Sequence, residues 1–278
     1  MVCRASNTIG IIASDLTNPF FTKVIDGIES YLNSQGFTIF LSDTRYILEK
    51  ERLYISQMIE KRVDGVIAIN PYSEEASSMS RIRNIIPAVA VMSTLSEVDC
   101  VNTMDEGGAY KAVDFLIKQG HTKIAFLVYN FKNSTISNRL KGYYKAHRDN
   151  GIPVNKSYIL SSEFNPYCGY YLANEVLDKF PEVTAIFTYN DQLAVSAYYA
   201  LQMRGLKIPD DISIIGYDNI ELASLLRPKL TTVEQPMSEI GRSAGELILS
   251  RVRDNKKSTP QTVFLPTRLV IRDSVKKL

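Results

Sequence analysis

Residues able to do chemistry are sparse in this chain. Gly241-Arg242-Ser243-Ala244-Gly245 has the G-x-S-x-G spacing that exposes a nucleophilic serine when it lies on a strand-to-helix turn. Here Ile240, Ala244, Leu247, Ile248 and Val252 recur at helical spacing, which places the motif inside an amphipathic helix. The matching hydrolase order also needs a histidine after the serine, and the two histidines, His121 and His147, both precede it. Neither a G-x-x-x-x-G-K-S/T loop nor a G-x-G-x-x-G turn is present, so no phosphate cradle is expected. The three cysteines, Cys3, Cys100 and Cys168, are far apart and form neither a zinc spacing nor a disulfide framework. The chain is therefore expected to have no catalytic residue, no metal and no cofactor, and not to be an enzyme.

Another set of residues gains meaning from its position. Asp15-Leu16-Thr17-Asn18-Pro19-Phe20-Phe21 follows a first apolar run, Phe164 a sixth, Asn190-Asp191 a seventh and Asp218-Asn219 an eighth, while Arg139 opens the helix after the fifth. Each asparagine or aspartate taken alone suits a helix cap. Taken together, polar and aromatic groups just past strands occupy the edge where doubly wound sheets bind ligands.

The elements that must position them are legible. Strands are predicted at Thr8–Ala13, Phe37–Ser42, Asp64–Ile69 and Ala88–Met92, then at Lys123–Tyr129, Tyr158–Phe164, Ala185–Tyr189 and Ile212–Tyr217. Helical periodicity separates them, from the stripe Phe21, Val24, Ile25, Ile28, Tyr31 and Leu32 onward through 49–62, 107–119, 138–150, 169–180 and 191–205. This alternation implies βαβ units and parallel sheets covered on both faces, in two sets that break near Gly120-His121. A late strand at Leu230–Gln235, a helix over 236–253 and an extended run at Val263–Ile271 suggest that the chain crosses back between two lobes.

Composition narrows the class. At 278 residues, 45% hydrophobic and 22% charged, the chain has a real core and is not disordered. Thirty-two basic against 30 acidic residues leave +2, which excludes an extended polybasic face for nucleic acid. Arg251, Arg253, Lys256 and Lys257 read as a solvated helix end. No apolar run approaches the ~18–20 residues of a membrane helix, and a reduced, cytoplasmic compartment fits the cysteines best.

Several longer blocks now fall into place: Thr8-Ile9-Gly10-Ile11-Ile12, Asp15-x-x-Asn18-Pro19-Phe20-Phe21, and Arg62-Val63-Asp64-Gly65-Val66-Ile67. Gly120-His121-x-Lys123-Ile124-Ala125-Phe126, Thr184-Ala185-Ile186-Phe187-x-x-Asn190-Asp191, the stretch Pro209–Asn219 and Pro228-x-Leu230-Thr231-Thr232-Val233-x-Gln235-Pro236 complete them. Together they resemble the ligand-binding core of the lactose-repressor (LacI) family of bacterial transcription regulators, over about residues 8–272. The resemblance implies an α/β fold of the periplasmic-binding-protein-like type I class, with two doubly wound parallel-sheet lobes joined by three crossovers. The lobes would be 8–120 plus 236–256 and 121–235 plus 257–272, with crossovers near Gly120-His121, Val233–Pro236 and 256–258. It also implies a ligand cleft contacted by Asn18, Phe20, Phe21, Arg139, Phe164, Asn190, Asp218 and Gln235.

Such a set suits a sugar or sugar derivative. Aromatic rings offer flat faces to C–H groups, a carboxylate accepts from hydroxyls, and a guanidinium donates in a fixed fork. Arg139→Ala and Asp218→Ala are each expected to weaken binding and leave the fold intact. The family often carries Asp-Arg where this chain has Ser93-Thr94, and Asp-Asn where it has Met104-Asp105. The implied function is effector sensing in a homodimer, with ligand-driven closure controlling operator DNA through an amino-terminal helix-turn-helix module that these residues do not include. The competing reading is a secreted sugar-binding protein serving a transporter or chemoreceptor. The blocks at Gly120–Ala125, Pro209–Asp218 and Leu230–Pro236 look more like the repressors.

Overall fold

The run Thr-Ile-Gly-Ile-Ile-Ala forms β1 (Thr8–Ala13), with five of its six residues buried, as a strand covered on both faces requires. Asn18 then caps α1 (Pro19–Ser34), whose first residue is the proline, and Phe20, Phe21, Val24, Ile25, Ile28 and Leu32 form its buried stripe. Gly36, at φ +81°, ends the helix in the left-handed conformation that glycine adopts without strain. The same grammar repeats along the chain. The computed structural model describes residues 6–71, 79, 82–130, 134–254 and 259–278.

The chain divides into two compact units. The first comprises the residues up to Thr103 together with Pro236–Leu265. It contains β2 (Thr38–Asp43), α2 (Leu48–Glu60), β3 (Gly65–Ile69), β4 (Ala88–Val91) and β5 (Asp99–Thr103). Its sheet runs β11-β5-β4-β3-β1-β2, where β11 is Thr262–Leu265, and every neighbouring pair is parallel. The second unit comprises Met104–Gln235 and Pro266–Leu278. It contains α3 (Asp105–Lys118), β6 (Ile124–Tyr129), α4 (Ser134–Asp149), β7 (Ile159–Ser162), α5 (Cys168–Lys179), β8 (Ala185–Thr188) and α6 (Asp191–Met203). β9 (Ser213–Asp218), α7 (Glu221–Leu225) and β10 (Thr231–Glu234) follow, and β12 (Arg268–Val270) closes the sheet in the order β12-β10-β9-β8-β6-β7. Only the β10–β12 pair in this sheet is antiparallel.

Three expectations are corrected. The break predicted at Gly120-His121 falls at Thr103/Met104, because the buried face of α3 (Ala109, Ala112, Val113 and Leu116) packs in one core with Phe126, Tyr143, Phe187 and Tyr217. The third passage between the units falls at Leu265/Pro266 instead of 256–258, since β11 extends the first sheet beside β5. The single run predicted over Val263–Ile271 is thus two strands in two sheets, and β5 was not predicted at all. Lys256 and Lys257 lie outside the described residues.

One helix pair shows how tight the packing is. In the first unit α1 lies against α8 (Met237–Arg253) at Gly241, where a Cβ would sit 2.1 Å from the carbonyl oxygen of Val24. Only a residue without a side chain lets the two backbones approach this closely. Ser243 lies mid-way along the same helix, so Gly241–Gly245 is a packing motif and not a nucleophile turn.

Candidate functional site

The sheet of the second unit changes direction between β6 and β8, the kind of switch point at which open α/β sheets bind ligands. α4 leaves the β6 side carrying Arg139, and β8 leads through Tyr189 to Asn190 and Asp191. β9 ends on Asp218, and β10 leads to Gln235.

Arg139 organises this edge. It is only 2% exposed, and its Nε donates to Asp105 Oδ1 at 2.9 Å while an Nη donates to the Tyr189 carbonyl. The guanidinium carbon lies 3.6 Å from the centre of the Tyr217 ring and 4.6 Å from that of Tyr189, so the cation is held against two aromatic rings. Asp218 Oδ1 stands 3.9 Å from the other Nη and accepts from Gln235 Nε2 at 2.7 Å. Burial alone would lower the arginine pKa, but Asp105, then Tyr217, Tyr189 and Asp218, reverse this and raise it. Asp218 shows the opposite balance: burial pushes its carboxyl well above the usual range, against the pull of Arg139. Its neighbour Asp191, wholly buried, is pushed by desolvation up to about 7 despite hydrogen bonds from Thr232 and the 219–220 backbone.

The structure therefore joins Arg139, Asp218 and Gln235 by direct contact. Asn190 follows Tyr189 and caps α6, its Oδ1 accepting from Leu193 N at 2.9 Å. Phe164 reaches the cluster through aromatic neighbours: its ring centre is 5.4 Å from that of Tyr129, which is 5.5 Å from Tyr189. Asn18, Phe20 and Phe21 belong to the first unit, just past β1. Asn18 is also a cap, accepting from Phe20 N at 2.9 Å, and the two phenylalanines meet edge to face at 5.4 Å, both buried. Both asparagines thus commit their carbonyl oxygens to a helix, which leaves the carboxamide N–H groups as the part with ligand chemistry. Ser93, which replaces the aspartate that the resemblance implies there, is clamped by Asn102: its N–H donates to Asn102 Oδ1 at 2.8 Å and its carbonyl accepts from Nδ2 at 2.6 Å.

Sequence reasoning missed Asp105, Tyr189 and Tyr217 as members of the site. Both tyrosines sit immediately before residues that were singled out, Asn190 and Asp218, so a search for aromatics at strand ends would have found them. Among the described residues no group of histidine, cysteine, aspartate and glutamate could hold a metal ion, and no helix is long and apolar enough to cross a membrane.

Comparison with known proteins adds to this geometry. The periplasmic binding protein-like domain family matches residues 113–275. HTH-type transcriptional repressors PurR from Vibrio campbellii and Photobacterium profundum are 38% and 37% identical over 279 and 281 residues, 99% of this chain and 83% of each relative. A LacI family transcriptional regulator from Enterococcus faecium with bound ribose superposes with a TM-score of 0.88 at 31% identity, covering 98% of this chain and 99% of that one. A periplasmic binding protein/LacI transcriptional regulator from Alkaliphilus metalliredigens, complexed with D-xylulofuranose, gives 0.86 at 26% identity, covering 97% and 99%. Such repressors are not enzymes, in keeping with the helical setting of Ser243. With two mainly parallel sheets of the periplasmic-binding-protein kind and repressors as its relatives, the chain belongs to the LacI family of transcriptional regulators and comprises their ligand-binding core.

Proposed function

We propose that this core senses a small polyhydroxylated effector, a sugar or sugar derivative, and that effector binding changes the affinity of the regulator for operator DNA. The observation that carries the reading is the buried cluster of Arg139, Asp218 and Gln235 at the switch point of the second sheet. In this reading Asp218 accepts from effector hydroxyls, Arg139 and Asn190 donate to them, and Phe164 offers a ring face to the C–H side. Gln235 holds Asp218 in place, and Asn18, Phe20 and Phe21 are further effector contacts in this reading. Ribose and D-xylulofuranose in the neighbouring structures support a ligand of this size and chemistry.

The core acts in the cytoplasm as a homodimer, whose twofold symmetry suits palindromic operators. DNA is read by a helix-turn-helix segment of the kind named in the relatives, of whose length this chain spans 83%. By linkage, effector and operator alter each other's affinity by the same factor, typically ~5–150-fold.

Thermal denaturation against a panel of pentoses, hexoses and phosphosugars, D-ribose included, tests the effector class. A ligand that binds only the folded state adds about 2.7 kcal/mol at a hundredfold excess over its Kd. A panel without any stabilising member would refute the reading. Sedimentation showing only a 31.3 kDa species would refute the dimer.

A further inference from the structure

The turn that presents Asp218 is built in an unfavourable conformation. Asp218 has φ +114° and Asn219 φ +60°, both in the left-handed half of conformational space that side chains disfavour. Such a conformation persists only where its surroundings over-determine it. Asn219 is held from one side, accepting from Arg272 Nη2 at 2.6 Å and donating to Glu234 Oε1 at 3.1 Å.

The other side is held by Asp191, the first residue of α6, which is 0% exposed. Its Oδ2 accepts the backbone N–H of Ile220 at 2.9 Å, and its Oδ1 accepts the hydroxyl of Thr232, on β10, at 2.6 Å. One carboxylate therefore ties the end of the strained turn to the next strand. Space for it comes from Gly216, where a Cβ would lie 2.1 Å from Oδ1. Any side chain at 216 would expel the carboxylate. The bridge holds the chain beyond Asp218 directly, at Ile220, and before it through Thr232, which lies opposite Gly216 in the β9–β10 pairing. The Asp218 carboxylate must in turn land within reach of Gln235, at 2.7 Å.

We propose that Asp191 is a positioning residue for effector binding, bracing the 218–220 turn so that Asp218 meets the ligand in a fixed orientation. The proposal rests on the effector role of Asp218 given above. It makes Asp191 more than a helix-start residue, although it touches no ligand itself.

Three variants test it: Asp191→Ala, which removes both acceptors; Asp191→Asn, which can accept from Ile220 and donate to Thr232; and Thr232→Val, which removes half of the bridge at constant shape. The first readout needs no ligand. It is the NMR signature of the Ile220 amide and of the Gln235 side-chain amide, with hydrogen exchange across β6 as the control for global folding. Asp191→Ala should speed exchange at Ile220 by about a hundredfold and return the Gln235 signals to free-amide positions, with β6 unchanged, whereas Asp191→Asn should keep both signatures. If Asp191→Ala does not fold, Thr232→Val should show the same changes in weaker form. The second readout is calorimetry with D-ribose, where Asp191→Ala should lose about tenfold in affinity and Asp191→Asn should stay near wild type. Unchanged Ile220 and Gln235 signals in both Asp191→Ala and Thr232→Val, or loss of the signatures in Asp191→Asn as well, would overturn the proposal. Unchanged D-ribose affinity in Asp191→Ala would overturn it too. A wild-type core that binds no sugar would defeat the sugar reading alone, and the ligand-free signatures would still decide whether Asp191 positions Asp218.

Discussion

Asp191→Asn should make the protein more stable at neutral and alkaline pH, and the gain should depend on pH in a defined way. Desolvation pushes the Asp191 carboxyl from an ordinary 3.8 up to about 7. Folding therefore favours the protonated acid, and the unfolded chain releases the proton more readily. A raised carboxyl contributes nothing adverse below the unfolded value, then costs stability steadily as pH climbs, until the cost levels off above the folded value. At 1.36 kcal/mol per pH unit, the roughly three-unit gap amounts to about 4 kcal/mol by pH 7–8. Asparagine is neutral throughout and keeps the shape and both hydrogen bonds, so it escapes this cost. Urea denaturation followed by tyrosine fluorescence (the chain has 16 tyrosines and no tryptophan) measures the difference from pH 4.5 to 8. The advantage of the variant should grow by about 1.4 kcal/mol per unit and flatten near pH 7. Parallel pH–stability curves for the two proteins would refute the claim that a charge is buried at this position at a cost.

Arg139→Met should cost about 3–5 kcal/mol of stability, because Asp105 and Asp218 would keep their burial and lose their cation; a melting temperature like that of the wild type would contradict the cluster. Gly241→Ala should cost about 1–3 kcal/mol, since the Val24 carbonyl 2.1 Å from the new Cβ is backbone and α1 must move away, as thermal denaturation would show. Burial lowers the His121 pKa, so its contribution to stability is present above its ordinary 6.5 and is lost as pH falls through the folded value. Wild type should therefore lose more stability than His121→Asn between pH 7 and 5 in the same urea assay.

The fold was legible where burial was unambiguous. β1, β3, β6 and β9 are short apolar runs flanked by turns, and such runs have few other uses. β5 escaped because Asp99, Asn102 and Thr103 make it look polar; burial is possible because Arg251 binds Asp99 with two hydrogen bonds, at 2.6 and 2.7 Å, and Asn102 serves Ser93. α3 was recognised as a helix but given to the wrong unit, since an amphipathic stripe reveals that a face is buried and not which core receives it. The same limit applied at the site. Position after a strand singled out Arg139 and Asp218, whereas the partnership of Arg139 with Asp105 spans 34 residues of sequence and leaves no local trace. That partnership gives Arg139→Ala a stability cost beside its effect on binding. Asn18 and Asn190 remained ambiguous between cap and contact because one carboxamide has two ends.

The interrupted path of the chain has a bearing on how the protein is made. β1 to β5 leave the ribosome before β6 to β12, yet their sheet lacks its edge strand β11 until residue 265 has been synthesised. Until residue 253 has been made α1 has no α8 to cover the surface around Gly27, and until residue 265 β5 presents an open parallel edge. The second unit reaches Gln235 with five of its six strands and itself waits for Pro266–Leu278, so neither unit is complete until the last part of the chain has been made. A nascent chain halted after Thr103 consequently carries an uncovered helix face and an open strand edge, the two features that favour association between incomplete chains.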